Sequence, residues 1–357
     1  MKNSYPALDG LRGLAALFAC ALHVSVWGIG PEWGIHIGRS VVAVDLFFAM
    51  SGFVIASAYE QRLANGVMST WGFILTRIIR LYPMYALSLV VAVAAHGDVL
   101  MQQAPPDRIL MVLASLMCLP WKVGDSSVFY PLNIAYWSLF FEFWVNVLYV
   151  LGRRWLTRGM LLAVVMGSGA VLVLLVRSHG MDMGPYWSAT GLLGGLARAL
   201  FGIALGVLLC RHAAVLPRAI TGRGGYFFPL AVVALILAVP PMEGVENRLM
   251  LAVVLLIFPW CLLHAVRGAS PPAHARKVLE FMGGISYPIY LLHLPLWLLS
   301  CRFFAAELRA LGPALGLTVF MLGVVVIAAL AERHIERPVR RWLTARALGV
   351  TALRPVV

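Results

Sequence analysis

The sequence predicts an all-α integral membrane protein, and three observations carry that prediction. Hydrophobic residues make up 61% of the 357 positions and charged residues only 12%, well below the ~25% charged of a soluble domain. Apolar runs of about 17 to 25 residues, the length that crosses a bilayer as a helix, recur ten times. The arginines gather at alternate ends of those runs, as they do when loops are held on the cytoplasmic side.

The runs lie near residues 11–28, 41–59, 74–95, 134–151, 160–176, 191–210, 226–240, 249–266, 281–300 and 313–331. The first shows no small-residue cleavage site followed by a polar start, so it reads as a retained helix and not a secretory signal. Between the third and fourth, Ile109 to Leu119 is apolar but too short to span and ends at Pro120-Trp121. It reads as a re-entrant or interfacial segment. With that segment not crossing and the N-terminus inside, the loops after residue 151 sort cleanly. Arg153, Arg154, Arg158, Arg211, Arg218, Arg223, Arg267, Arg276, Lys277, Arg333, Arg337, Arg340, Arg341, Arg346 and Arg354 fall inside, against Arg177, Arg248, Arg302 and Arg309 outside. Both termini are then cytoplasmic. No linker or internal repeat divides the chain, so residues 1–340 form one transmembrane domain and 341–357 a short basic tail.

The net charge of +13 does not point to nucleic acid, because most arginines cap apolar runs and no nucleic-acid-binding motif appears. Cys20, Cys118, Cys210, Cys261 and Cys301 are widely spaced, form no CxxC pair and read as small core residues. The remaining histidines (His36, His96, His179, His212, His264, His274 and His334) share no helical spacing, so no metal site is expected.

Ionisable groups inside a span are costly and mark sites. Leu8 to Trp27 carries Arg12 near its start and His23 near its end, 11 positions apart. On a helix that spacing is three turns plus about 20°, which puts both on one face about 16 Å apart. The bland alternative is a snorkelling arginine and a histidine bonded to a neighbouring helix. Counted from the span ends, His23, Glu142, His293, Arg198 and Asp45 fall in one layer of the outer half, which argues for a polar cavity. Histidine suits proton transfer near neutral pH, and a carboxylate partner would fix its tautomer. Asp45 and Glu142 are both candidates for that partner. The structural alternatives are an Asp45–Arg39 pair, a Glu142–Arg198 pair, and a packing seam of Ser286, Tyr290 and His293 at i, i+4 and i+7. Arg198 or a tyrosine is a candidate for stabilising an oxyanion.

At the inner face, Arg77 and Arg80 are neighbours on one helix face and join Arg12 in a guanidinium trio. Such a trio suits a polyanion such as a nucleotide diphosphate, while its alternative is ordinary positive-inside anchoring. In the terminal HIERPVRRW, Glu336 and Arg337 read as ties for the helix end.

These residues, in this order, resemble the acyltransferase-3 family of membrane O-acyltransferases. The resemblance covers nearly the whole chain. It rests on DGLRGLAALFACALH, VDLFFAMSGFVI, RIIRLYPMY, YWSLFFEFWVNVLY, ARALFGIALGVLL, ISYPIYLLHLPLW and HIERP. It implies an O-acetyltransferase of the inner membrane, with acetyl-CoA as co-substrate and a hydroxyl of a polysaccharide or lipid-linked sugar as acceptor. It makes Arg12 and His23 the essential pair, puts Arg77 and Arg80 on the acyl-CoA side, and lines the pocket with Trp137, Ser138 and Glu142. His23 would either deprotonate the acceptor or carry the acyl group in passing. Two departures stand out. The sequence stops at Val357 without the SGNH domain that many relatives carry, so transfer is expected without one. Ala199-Leu200 also replaces an acidic-aromatic pair. Two other classes compete. A sugar transporter would show paired halves with broken helices, which are not visible here. A non-catalytic scaffold would use only the cytoplasmic arginines.

Overall fold

A computed structural model describes residues 5–26, 38–123, 126–213, 225–268 and 270–348. Residues 27–28 of the first predicted span, His36, and Arg218, Arg223 and Arg354 of the inside set lie outside the described residues, as does the tail beyond Leu348. The described chain is helical almost throughout. In order come α1 (Pro6–Val26), α2 (Ala43–Ala64), α3 (Thr70–Ala95), α4 (Gly97–Gln102), α5 (Pro105–Leu116), α6 (Tyr136–Gly152) and α7 (Arg158–His179). They are followed by α8 (Ala189–His212), α9 (Phe227–Ala238), α10 (Glu246–Ala252), α11 (Phe258–Arg267), α12 (Ala273–Phe303), α13 (Ala305–Ala331) and α14 (Arg337–Leu348).

Eight helical stretches among the described residues are long and apolar enough to cross a membrane, so this is a multi-pass all-α membrane protein. The fourth and seventh runs of the sequence form shorter helices, α6 of 17 residues and α9 of 12. The segment read as non-spanning becomes α5, also 12 residues and so about 18 Å long. Ile109, Leu110 and Leu113 are exposed on it, while Tyr82 and Tyr85 of α3 donate to the Leu116 and Ser115 carbonyls. Two π-helical turns carry no signal in the hydropathy pattern. One, Val253–Ile257, joins α10 to α11, and the other, Glu332–Glu336, joins α13 to α14. The helix α14 runs through the boundary at residue 340.

Two close helix pairs set the frame. α2 crosses α8 with almost no side chain between them, because a Cβ on Gly52 would meet the Ile203 carbonyl and one on Gly206 the Ala49 carbonyl. Small residues let backbones approach where lipid supplies no hydrophobic drive. α1 lies along α12 in the same way, with Gly283 facing Asp9 and Gly13 facing Met282. α12 also packs on α3 and α13, so α1, α2, α3, α6 and α12 enclose one space. An isolated antiparallel bridge, Val128 to Tyr186, closes the connection beside it. There Gly184 (φ 134°) lies against the Trp137 ring, where any Cβ would collide.

Candidate active site

The enclosed space is a pocket with about 720 Å³ of empty volume, its open mouth included. Arg12, Arg77 and Arg80 line it together with Ser138, Glu142, Ser286 and Tyr290, so seven predicted site residues share one cavity. Phe47, Phe48, Ser51, Leu81, Leu139 and Tyr287 complete most of its wall. The ion pair of Arg77 with Glu142 of α6 holds the RxxR face of α3 toward the cavity. Arg12 sits 3.9 Å from Asp9, one turn earlier on α1. Arg80 lines the cavity with no carboxylate within ion-pair distance among the described residues.

Glu142 is held from two sides. Ser51 Oγ donates to its Oε1 at 2.6 Å and Arg77 Nη2 donates to the same oxygen at 2.8 Å. Its expected partners, His23 and Arg198, are both replaced. Counting depth from the span ends separates Arg77 from Glu142. However, Arg153 at the end of α6 bonds Thr70 at the start of α3 (2.9 Å), and this sets the two helices level. From that shared end Arg77 and Glu142 lie only a few ångströms apart in height, within reach of a guanidinium.

His23 meets another imidazole. His293 Nε2 is 2.9 Å from His23 Nδ1, and the ring centroids are 4.9 Å apart. The stripe of Ser286, Tyr290 and His293 therefore does form along α12, with Ser286 and Tyr290 in the cavity and His293 fully buried beyond them. Tyr290 links the two regions. Its hydroxyl shares a 2.7 Å hydrogen bond with Ser138 Oγ, and its ring centroid is 6.1 Å from that of His293. Neither histidine is among the cavity-lining residues.

Asp45 is likewise not the partner of His23. It takes a two-pronged ion pair from Arg198, Nε to Oδ1 at 3.0 Å and Nη2 to Oδ2 at 2.7 Å. Arg198 also donates to the carbonyls of Met181, Met183 and Val41. A guanidinium has five N–H donors, and all five are used, so Arg198 has none to offer an oxyanion. Its guanidinium carbon lies over the Trp137 ring, 5.2 Å from the centroid, so Trp137 stands with this structural pair and is not among the cavity-lining residues. Arg39 pairs with Glu246, not with Asp45 (2.8 Å). The five-membered polar layer thus resolves into separate pairs, each formed where two particular helices cross.

Sequence reasoning missed Ser51 and Tyr287. Both stand inside quoted motifs, AMSGF and ISYPIY, where a polar residue among apolar ones was the available signal. Tyr287 donates to the Leu81 carbonyl at 2.8 Å and fastens α12 to α3 at the cavity wall. The terminal ties are as expected in kind. Arg337 pairs with Glu332, and Arg340 with Glu336 at 3.1 Å, across the π-helical turn. No cluster of three or more His, Cys, Asp or Glu suited to a metal occurs among the described residues.

Comparison with known proteins converges on one family. The chain is 28% identical over 349 residues to the "Exopolysaccharide production protein ExoZ" of Rhizobium meliloti (strain 1021), covering 89% of this chain and 95% of that one. It is 32% identical over 188 residues to "Protein 2 in picA locus" of Rhizobium radiobacter, covering 48% of this chain and 94% of that one. No solved structure matches. The acyltransferase-domain family model matches residues 5–333, from the start of α1 into the last π-helical turn. That span takes in the whole cavity and the His23–His293, Asp45–Arg198 and Arg77–Glu142 pairs, and the chain therefore belongs to the acyltransferase-3 family of membrane acyltransferases.

Proposed function

We propose that this acyltransferase moves an acetyl or other short acyl group from cytoplasmic acyl-CoA to a sugar hydroxyl in a polysaccharide or lipid-linked glycan. In this reading the chain crosses the inner membrane ten times, with α6 and α9 as the two short crossings and both termini in the cytoplasm. Residues 341–357 then form a basic cytoplasmic tail. The name of the Rhizobium meliloti relative supports a glycan acceptor.

The observation that carries the proposal is the composition of the cavity, with three arginines in its wall and the hydroxyls of Ser138, Ser286 and Tyr290 in the same space. Guanidinium groups bind phosphates through paired N–H donors, so the trio is a seat for the donor's phosphates. The acyl-bearing arm extends past Ser138 toward Tyr290. Ser51 and Glu142 hold Arg77 in place for that seat. The acceptor approaches from the side of the histidine pair. As the acceptor oxygen bonds the acyl carbon, His23 takes the hydroxyl proton. The C–S bond breaks and the departing thiolate recovers that proton. Tyr290, between cavity and histidines, has its hydroxyl on the Ala135 carbonyl and Ser138 Oγ, and it is the candidate donor to the oxyanion once that proton turns away from Ala135.

The deciding experiment is transfer from labelled acetyl-CoA by the purified wild-type protein and by His23→Ala, with a surface polysaccharide as acceptor. The proposal expects label on the acceptor only with the wild type. Full transfer by His23→Ala removes the assigned chemistry. Label trapped on His23 before acceptor is added would make it an acyl carrier instead of a base.

A further inference from the structure

We infer that His293 is a positioning residue that fixes the tautomer of His23 and leaves the reactive lone pair on Nε2. The inference rests on the reading of His23 as the proton acceptor and adds which atom accepts and what sets it.

The hydrogen bonds at both Nδ1 atoms and at His293 Nε2 leave one consistent assignment for those three nitrogens. His293 Nδ1 lies 3.0 Å from the carbonyl oxygen of Ile289. A carbonyl only accepts, so His293 Nδ1 must carry a proton. His293 is fully buried, where a second ring proton would place an uncompensated charge out of water. Its Nε2 is therefore a bare acceptor. That acceptor stands 2.9 Å from His23 Nδ1, which is also 2.9 Å from the carbonyl oxygen of Ala19. Two acceptors converge on one nitrogen, so His23 Nδ1 carries the proton and shares it between them. In the neutral ring the other nitrogen, Nε2, then holds the lone pair.

A carboxylate commonly does this work in His-based catalysis. Here both carboxylates that the sequence offered as its partner are engaged elsewhere, Asp45 by Arg198 and Glu142 by Arg77 and Ser51, and Asp182, whose charge His23 feels, accepts from the Tyr186 hydroxyl. An imidazole takes the role, itself oriented by its own backbone carbonyl. The relay runs Ile289 carbonyl, His293, His23, and it fixes direction without adding a negative charge. A neutral partner is the one that a histidine inside a bilayer can have without a buried ion.

The test reads the tautomer directly. Full-length protein labelled with ¹⁵N-histidine is examined by NMR in nanodiscs, with the His23 resonances assigned by their loss in His23→Gln. The expected spectrum has His23 protonated on Nδ1 and bare on Nε2. In His293→Leu the Nε2–H form appears, and kcat falls on the order of 10–100-fold with KM unchanged. His293→Gln, whose side-chain oxygen can still accept from Nδ1, recovers much of that loss. An Nε2–H tautomer in the wild type overturns the inference on its own, whatever the variants do. Equal losses in the Leu and Gln variants with the tautomer unchanged also overturn it. Full activity of His23→Ala is a different failure, because it removes the base and leaves the hydrogen-bond geometry standing.

Discussion

Replacing Asp45 by asparagine separates a structural role from a chemical one. Asp45 is 3% exposed and Arg198 is fully enclosed, and they share two hydrogen bonds. The asparagine side chain would fill the same space but leave the Arg198 guanidinium without a counter-charge in the protein interior. Removing one partner of a buried pair costs about 3–5 kcal/mol. The three carbonyls of Met181, Met183 and Val41 still hold Arg198 in place, so the lower end of that range is expected. At roughly 2 °C per kcal/mol for a large domain, the midpoint of thermal unfolding in detergent should drop by roughly 6 °C. In an Arg198→Met background the same Asp45→Asn change should cost much less, with a coupling of about 0.5–3 kcal/mol across the cycle. The assay pairs a thermal scan with single-turnover transfer per folded molecule at low temperature. The structure expects stability to fall while the chemical step persists. Unchanged stability with the chemical step abolished would refute the assignment and return Asp45 to catalysis.

Two further outcomes follow from the cavity and the helix crossing. Arg80→Ala should raise KM for acetyl-CoA roughly 10–100-fold, the loss of one charge-assisted contact of about 1.5–3 kcal/mol, while kcat changes little. A lowered kcat with unchanged KM would take Arg80 out of the donor seat, and Arg80 is the cleaner probe because removing Arg77 also strands Glu142. Gly52→Val drives a side chain into the Ile203 carbonyl of α8. Overpacking costs about 1–3 kcal/mol where neighbours can give and more against a backbone, so the variant should aggregate in gel filtration while Gly167→Val, in open space on α7, should not.

How much of this was legible in the sequence depends on the range of the interaction. Eight of the ten runs were legible as helices long enough to span, because hydropathy and helix length are local properties. Periodicity alone put Arg12 and His23 on one face of α1, yet Arg12 lines the cavity while His23 meets His293 beyond it. Arg77 and Arg80 share a face of α3 by the same periodicity, and the packing of α3 and α1 on α12 brings that face to the cavity that Arg12 lines. Partner choice was not legible. Asp45 meets Arg198 because Gly52 and Gly206 let α2 and α8 touch backbone to backbone, and no count of residues from a span end contains that crossing. A signal was present, since Gly202 and Gly206 stand four apart, one turn beyond Arg198 in GGLARALFGIALG. A small-residue face on α8 had to lie against another helix, and an arginine on that helix then needed a carboxylate from the partner.

The same logic explains why depth misled at Glu142. Depth was counted from where each apolar run begins, but α3 is helical from Thr70, four residues before its run, and α6 ends beside that start. Each residue of error moves a side chain about 1.5 Å, and an arginine side chain spans the remainder. A polar group's depth in a membrane protein therefore places it within about a helical turn, while its partner is set by which helices cross there. The five groups read as one layer were at compatible heights. They separated because three different crossings claimed them, α1 with α12 for the histidines, α2 with α8 for Asp45 and Arg198, and α3 with α6 for Arg77 and Glu142. Only the last lies on the cavity wall, so the other two crossings place their polar pairs outside its lining.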